Sequence, residues 1–314
     1  MLRYIGQRVA LFIPTTLLLL FLVFALIYLI PGDPVEAMLA EQAGPELIAR
    51  VRADLGLDQP LHLQFVHWLG KALRGNLGRS IRSEEPVGQA LAKRQPGTRE
   101  QALLATLVAV AIALPAGVIS AVRRGQWADS ISRIAALLGL SFPSFFLAIV
   151  LIYVFALGLR VLPPSGYRPF TEDPLQNLRF MIMPAVCLGM VMAAILSRMT
   201  RSSLLEVLGE DYIRTARAKG LSGRMVIYKH ALKNALIPVV TIAGIQFGAL
   251  LGGTVIIETI FALPGIGRLL IDNIRASDFP MVQGVVLFMA LARLVINLAT
   301  DLLYGWLDPR IRYG

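Results

Sequence analysis

The sequence predicts an all-α integral membrane protein with six transmembrane helices. Three observations carry this. Of the 314 residues, 56% are hydrophobic and 16% charged, where a soluble domain averages about 25% charged. The mean hydropathy is +0.67. Six stretches contain no Asp, Glu, Lys or Arg. The same figures exclude a disordered chain, and the single Cys187 excludes a disulfide framework or a cysteine-based metal site.

In chain order the charge-free runs are Val9–Gly32 (24 residues), Gln101–Val122 (22), Ile134–Leu159 (26), Phe180–Ser197 (18), Asn234–Ile257 (24) and Phe279–Ala292 (14). A bilayer core of about 30 Å needs roughly 20 apolar helical residues. The first five runs suffice alone; the sixth becomes a span by running on through Arg293 to about Leu303. The first run follows Arg3 and Arg8, as in a signal peptide, but it exceeds the roughly 7–15 residues of a cleavable core. No small-x-small cleavage site follows, so it reads as a retained helix. Pro14, Pro115, Pro143, Pro184 and Pro238 are expected to kink their spans. Gly244, Gly248, Gly252 and Gly253 form a small-residue ladder that lets another helix approach closely, in this chain or in a partner.

The chain divides into 1–32, the N-terminus and first span; 33–100, an external helical loop; and 101–314, the core of spans two to six with a cytoplasmic loop at 198–233. Leu47, Val51 and Leu55 recur at helical spacing and predict an amphipathic helix over 45–55, stopped by Gly56. Phe65, Trp68, Leu69 and Leu73 predict a second over 61–74. With the N-terminus placed in the cytoplasm, the inner segments hold 15 Lys/Arg against 5 in the two short outer loops. Both termini then lie inside by the positive-inside rule. The net charge of +10 is therefore a topology signal and no sign of a nucleic-acid partner.

Catalysis finds no support. Ser141 has no imidazole partner, because His62, His67 and His230 all lie outside the charge-free runs. His62 and His67 are spaced too poorly for a zinc helix, so no metal site is expected. No Gly-rich loop ends in Gly-Lys-Ser/Thr, so ATP is not expected to bind this chain. The patterned segment is 198–233. Asp211 is placed to cap a helix, Arg217 and Lys219 to close it, Gly220 to sit just past its end, and Ser222 to cap the next helix. Such a helix–Gly–helix knob either docks a partner or holds anionic lipid headgroups through its eight Lys/Arg.

The stretch Tyr212-Ile213-Arg214-Thr215-Ala216-Arg217-Ala218-Lys219-Gly220-Leu221 closely resembles the coupling loop of ABC-importer permeases. The general motif there is Glu-Ala-Ala, three residues, Gly, then a later Ile-x-Leu-Pro. Here Arg214 and Thr215 replace the Glu and first Ala, while Ala216 and Gly220 keep their places. Further on, His230 and Lys233 replace the Ile and Pro, Leu232 matches, and Pro238 comes late. That departure resembles the dipeptide/oligopeptide/nickel branch. So do Pro31-Gly32-Asp33-Pro34, Leu55-Gly56-Leu57-Asp58-Gln59-Pro60, Gly75-Asn76-Leu77-Gly78-Arg79-Ser80, Leu162-Pro163-Pro164-Ser165-Gly166-Tyr167, Glu258-Thr259-Ile260-Phe261, Pro264-Gly265-Ile266-Gly267-Arg268 and Leu307-Asp308-Pro309-Arg310. The long first external loop resembles the first permease of the pair.

The resemblance implies a type I ABC-importer permease in a bacterial or archaeal plasma membrane. It implies a second homologous permease, two ATP-binding subunits inside carrying ATP and Mg, and an external substrate-binding protein. The implied cargo is a di- or oligopeptide, or a related small solute such as glutathione or a nickel chelate. The implied contacts with the ATPase are Tyr212, Arg214, Thr215, Ala216, Lys219, Gly220 and Leu221. A stand-alone channel or secondary carrier is the alternative; its ion path calls for paired intramembrane charges. Arg293, Asn297 and Asp301, spaced i, i+4, i+8 on one helix face, are the residues that come near this. They read as a polar seam against another helix, or as part of the translocation path.

Overall fold

A computed structural model of the chain describes residues 2–29, scattered positions between 35 and 53, and residues 56–307. The helix expected over 45–55 lies largely outside the described residues. Gly56, expected to stop it, has a left-handed φ of +70° and donates to the Ala53 carbonyl at 3.0 Å.

The helices are α1 (Leu2–Ala25, extended by a 3-10 turn Leu26–Leu29), α2 (Leu61–Leu73) and α3 (Val87–Val122). Then come α4 (Trp127–Ser141), α5 (Ser144–Gly158, its end π-helical) and α6 (Pro174–Leu208). They are followed by α7 (Asp211–Ala218), α8 (Gly223–Leu251), α9 (Val255–Ile260), α10 (Ile266–Arg275) and α11 (Phe279–Leu307). Five helices are long and apolar enough to cross a membrane, six if α4 and α5 count as one broken span. That break is sharper than a proline kink: the two halves meet at 99°. Pro143 has no N–H to continue the ladder of α4, and it starts α5 instead. The sixth span does run through Arg293. The fifth begins at Gly223 rather than Asn234, so His230 lies on its first turns, and it ends at Leu251 rather than Ile257.

The most extensive pairing is α3 with α6. On α3, Ala105, Ala109 and Ala113 are completely buried at a spacing of four. A Cβ on Gly117 would come within 2.6 Å of Thr200, and one on Gly189 of α6 within 2.9 Å of the Ala105 carbonyl. Small residues on both sides let the backbones touch. The glycine ladder of α8 meets a helix of this same chain: Cβ atoms on Gly244 and Gly248 would strike Thr300 and Ile296 of α11 at 2.6 and 2.9 Å. The helix α2 seats Phe65 and Trp68 against Phe24 of α1, with ring centroids at 5.3 and 5.9 Å. Gln283 of α11 joins the two by accepting from Trp68 Nε1 at 3.1 Å and donating to the Val23 carbonyl at 3.1 Å.

Candidate functional site: a mounted knob and a buried carboxylate

The segment between α6 and α8 folds as a helix–glycine–helix knob. Asp211 is the first residue of α7, not its cap; Glu210 holds that position without a side-chain bond. An acidic residue in the first turn still suits the helix dipole. At the other end the Gly220 N–H donates to the Arg217 carbonyl at 2.9 Å and the Leu221 N–H to Ala216 at 3.4 Å. Gly220 has φ +79°, which completes a Schellman turn. Ser222 caps α8, its hydroxyl accepting from the Met225 N–H at 3.4 Å.

Ile213 and Ala216, three apart, face inward. They pack in one cluster with Val118 and Ala121 of α3, Leu204 of α6, and Val226, Ala231 and Ala235 of α8. Tyr212, Arg214, Thr215, Lys219 and Gly220 are exposed and Leu221 is half-buried. Ala216 thus belongs to the mounting of the knob, while its neighbours form the outer surface. The Tyr212 hydroxyl also accepts from Asn234 Nδ2 at 2.8 Å, which ties that surface to α8.

At the other end of the bundle, Glu258 is completely buried. Its carboxylate accepts from Thr98 Oγ1 at 3.2 Å, the Thr254 N–H at 3.3 Å and the Arg268 N–H at 2.8 Å. Thr98 Oγ1 in turn accepts from the Ile266 N–H at 2.9 Å. The first N–H groups of α10 have no partners within that helix; α9 and α3 supply them. Gly265 leaves room for the carboxylate, since a Cβ there would fall 2.1 Å from Glu258 Cδ. Gly253 likewise lies against the backbone of Gly267. The two motif blocks 258–261 and 264–268 therefore form one fastening. Nearby, the Tyr167 hydroxyl donates to Glu100 at 3.0 Å. Burial, with the Glu100 carboxylate beside it, pushes Tyr167 up to about 12.

Arg293, Asn297 and Asp301 all lie on α11 but differ in surroundings. Arg293 is exposed, and Asp301 half-buried. Asn297 turns toward α8, its buried Oδ1 lying 3.8 Å from where a Cβ on Gly248 would sit and without a hydrogen-bond donor. At the bend between α4 and α5, a cavity of about 320 Å³ is lined by Phe142, Pro143 and Ser144, by Leu188 and Met192 of α6, and by Gln246 of α8. Among the described residues, no three His, Cys, Asp or Glu side chains come together as a metal site.

Two features escaped the reading of the sequence. The pair of buried Asp129 and half-buried Arg201 joins positions 72 apart, and nothing local announces it. The Ala105–Ala109–Ala113–Gly117 ladder was legible as small residues every fourth position.

Comparison with known proteins places this arrangement. Residues 113–313 match the family profile of the binding-protein-dependent transport system inner membrane component, and residues 1–102 match its N-terminal profile. A Brucella abortus (strain 2308) protein that carries the name of a peptide transport system permease is 46% identical over 307 residues, covering 98% of each chain. The glutathione transport system permease protein GsiC of Salmonella typhi is 42% identical over 313 residues, covering 100% of both. The MetNI methionine ABC transporter, solved in inward-facing conformations, shares the fold. Its TM-score is 0.57 at 20% identity, over 70% of this chain and 97% of that one. Five apolar spans and a sixth formed by the broken pair α4–α5, the type I permease fold and full-length similarity converge: the chain belongs to the family of binding-protein-dependent transport system inner membrane components, the permease subunits of ATP-driven importers.

Proposed function

We propose that the knob from Asp211 to Ser222 receives an ATP-hydrolysing subunit on the cytoplasmic side, and that the cargo is a peptide or a small peptide-like solute such as glutathione. In this reading ATP and Mg are held by the partner subunits, a second homologous permease completes the pathway, and a binding protein delivers cargo outside. One observation carries the docking role. Ile213 and Ala216 anchor the knob in a cluster drawn from α3, α6 and α8, while Tyr212, Arg214, Thr215 and Lys219 remain exposed. A push on the outer surface is thereby delivered to three spans at once. The names of the relatives support the cargo class. Arg293, charged, exposed and within a span, belongs on a face covered by the second permease or on the path itself, because charges at depth face protein or water.

The test is reconstitution of the complex with variant knobs. Gly220→Val forces a β-branched residue to φ +79°, at a strain of about 1–3 kcal/mol. Ala216→Trp lifts the knob off its mounting. Both insert normally yet lose cargo-stimulated ATP hydrolysis and uptake. Arg224→Ala and Lys229→Ala, removing exposed charges worth about 0–1 kcal/mol each, change little. Loss confined to the charge variants would mark a lipid-binding patch and refute the docking role. Uptake of labelled dipeptides, oligopeptides, glutathione and nickel chelates assigns the cargo.

A further inference from the structure

Asp129 lies in the first turn of α4 and is 2% exposed. Its carboxylate has a full set of donors. Oδ1 accepts from Arg201 Nε at 2.8 Å and from Ser120 Oγ at 2.6 Å. Oδ2 accepts from Arg201 Nη2 at 3.0 Å and from the Gly125 N–H at 3.0 Å. Arg201 comes from α6, Ser120 from the end of α3, and Gly125, at φ +78°, from the turn that joins α3 to α4. One side chain thus joins three elements through a two-pronged ion pair.

Three placements give this joint a direction. Leu204, one turn beyond Arg201 on α6, is completely buried in the cluster that holds Ile213 and Ala216 of the knob. Thr200, beside Arg201, lies against Gly117, where an added Cβ would come within 2.6 Å of it, so α3 and α6 are closely interlocked at this level. Beyond Asp129, α4 presents Ile131, Ile134, Leu137 and Leu138 outward and buries only Ala136 among its apolar residues past the first turn. It faces outward over most of its length and ends at the Pro143 break and the cavity there. Asp129 is buried and Arg201 partly so; desolvation offsets much of the attraction in such a pair, and its best-attested use is to hold a register or a switch.

We propose that the Asp129–Arg201 fork is the joint through which displacement of the knob reaches the broken third span, so that both are positioning residues for transport. The proposal rests on the docking role of the knob. Without the fork, the α3–α6 body still moves with the ATPase subunit, but α4 and the bend at Pro143 no longer follow.

The experiment uses the full complex in vesicles with its binding protein, and reads cargo taken up per ATP hydrolysed. Asp129→Asn and Arg201→Gln each lower that ratio by about tenfold, within the range of known coupling energies, while the ATPase subunit still co-purifies. Arg201→Lys keeps the charge but not the fork; it lowers the ratio less, and serves as the deciding variant where the neutral ones do not assemble. If uptake and hydrolysis fall together in these variants, or the ratio stays at the wild-type value, the pair is a structural staple and the proposal is overturned. A Lys219→Cys chain that fails to cross-link to the ATPase subunit would instead refute the docking role on which the joint depends. The two failures are therefore distinguishable.

Discussion

Glu258 is a buried hub whose removal leaves several donors without a partner. Glu258→Ala deletes the acceptor for two backbone N–H groups and one hydroxyl. Each buried donor left unpaired costs about 1–3 kcal/mol. Some of this is offset because a carboxylate no longer has to be desolvated. The net loss is about 3–4 kcal/mol, concentrated where α9, α10 and the start of α3 meet. Glu258→Gln keeps the shape and one acceptor oxygen but points an NH2 at existing donors, and costs about 1–2 kcal/mol. Thr98→Val is close in shape, leaves the Ile266 N–H unpaired, and costs a similar amount. At roughly 2–4 °C per kcal/mol, the alanine variant lowers the apparent melting temperature by about 10 °C. The assay is fluorescence-detected thermal unfolding of the detergent-purified chain, with limited proteolysis to locate the loosened segment between Gly252 and Ala276. Thr98→Val and Glu258→Gln combined cost less than their sum, because they act in one network. A Glu258→Ala melting point equal to wild type, or a glutamine variant worse than alanine, would refute the fastening.

Gly244→Val places a side chain 2.6 Å from Thr300 Oγ1 and pushes α8 off α11; the expected loss is about 1–3 kcal/mol in the same unfolding assay. Gly56→Val, at φ +70° but with open space around it, costs only the backbone strain of about 1–3 kcal/mol. Tyr167 is raised to about 12 chiefly by burial and then by the Glu100 carboxylate, so the neutral ring's contribution to stability is full below pH ~10 and lost as pH rises through ~12. Ultraviolet titration at high pH shows this as a late-ionising tyrosine component that Tyr167→Phe reduces by one residue.

The spans were legible because lipid tolerates almost no charge, so their limits appear as runs without Asp, Glu, Lys or Arg. What such runs cannot show is how a helix ends. Pro143 reads as a kink within one span, whereas the helix breaks there at 99°, because what packs against each half is not written in the run. Start points were hidden too. α3 begins at Val87, because Lys93, Arg94, Arg99 and Glu100 extend it beyond the apolar run. Glu258, counted in the sequence as one charge of an external loop, is completely buried, because its donors are backbone N–H groups that no residue pattern encodes. The knob was the most readable element: Gly220 and Ser222 act locally, through a left-handed turn and a cap. Even there, the inward direction of Ala216 was written in its spacing of three from Ile213, an apolar residue on a short polar helix.

In the proposed function this knob is where an ATP-hydrolysing subunit meets the permease. Cysteines placed singly at Thr215 and Lys219, both exposed on the outer side of the knob, in a Cys187→Ser chain test it directly. In the purified complex, a short bifunctional reagent should join each to the ATPase subunit, and Gly220→Val should abolish both products while the chain remains in the membrane. Cross-links to the ATPase subunit from Tyr153 of the third span instead, with none from Thr215 or Lys219, would contradict the claim.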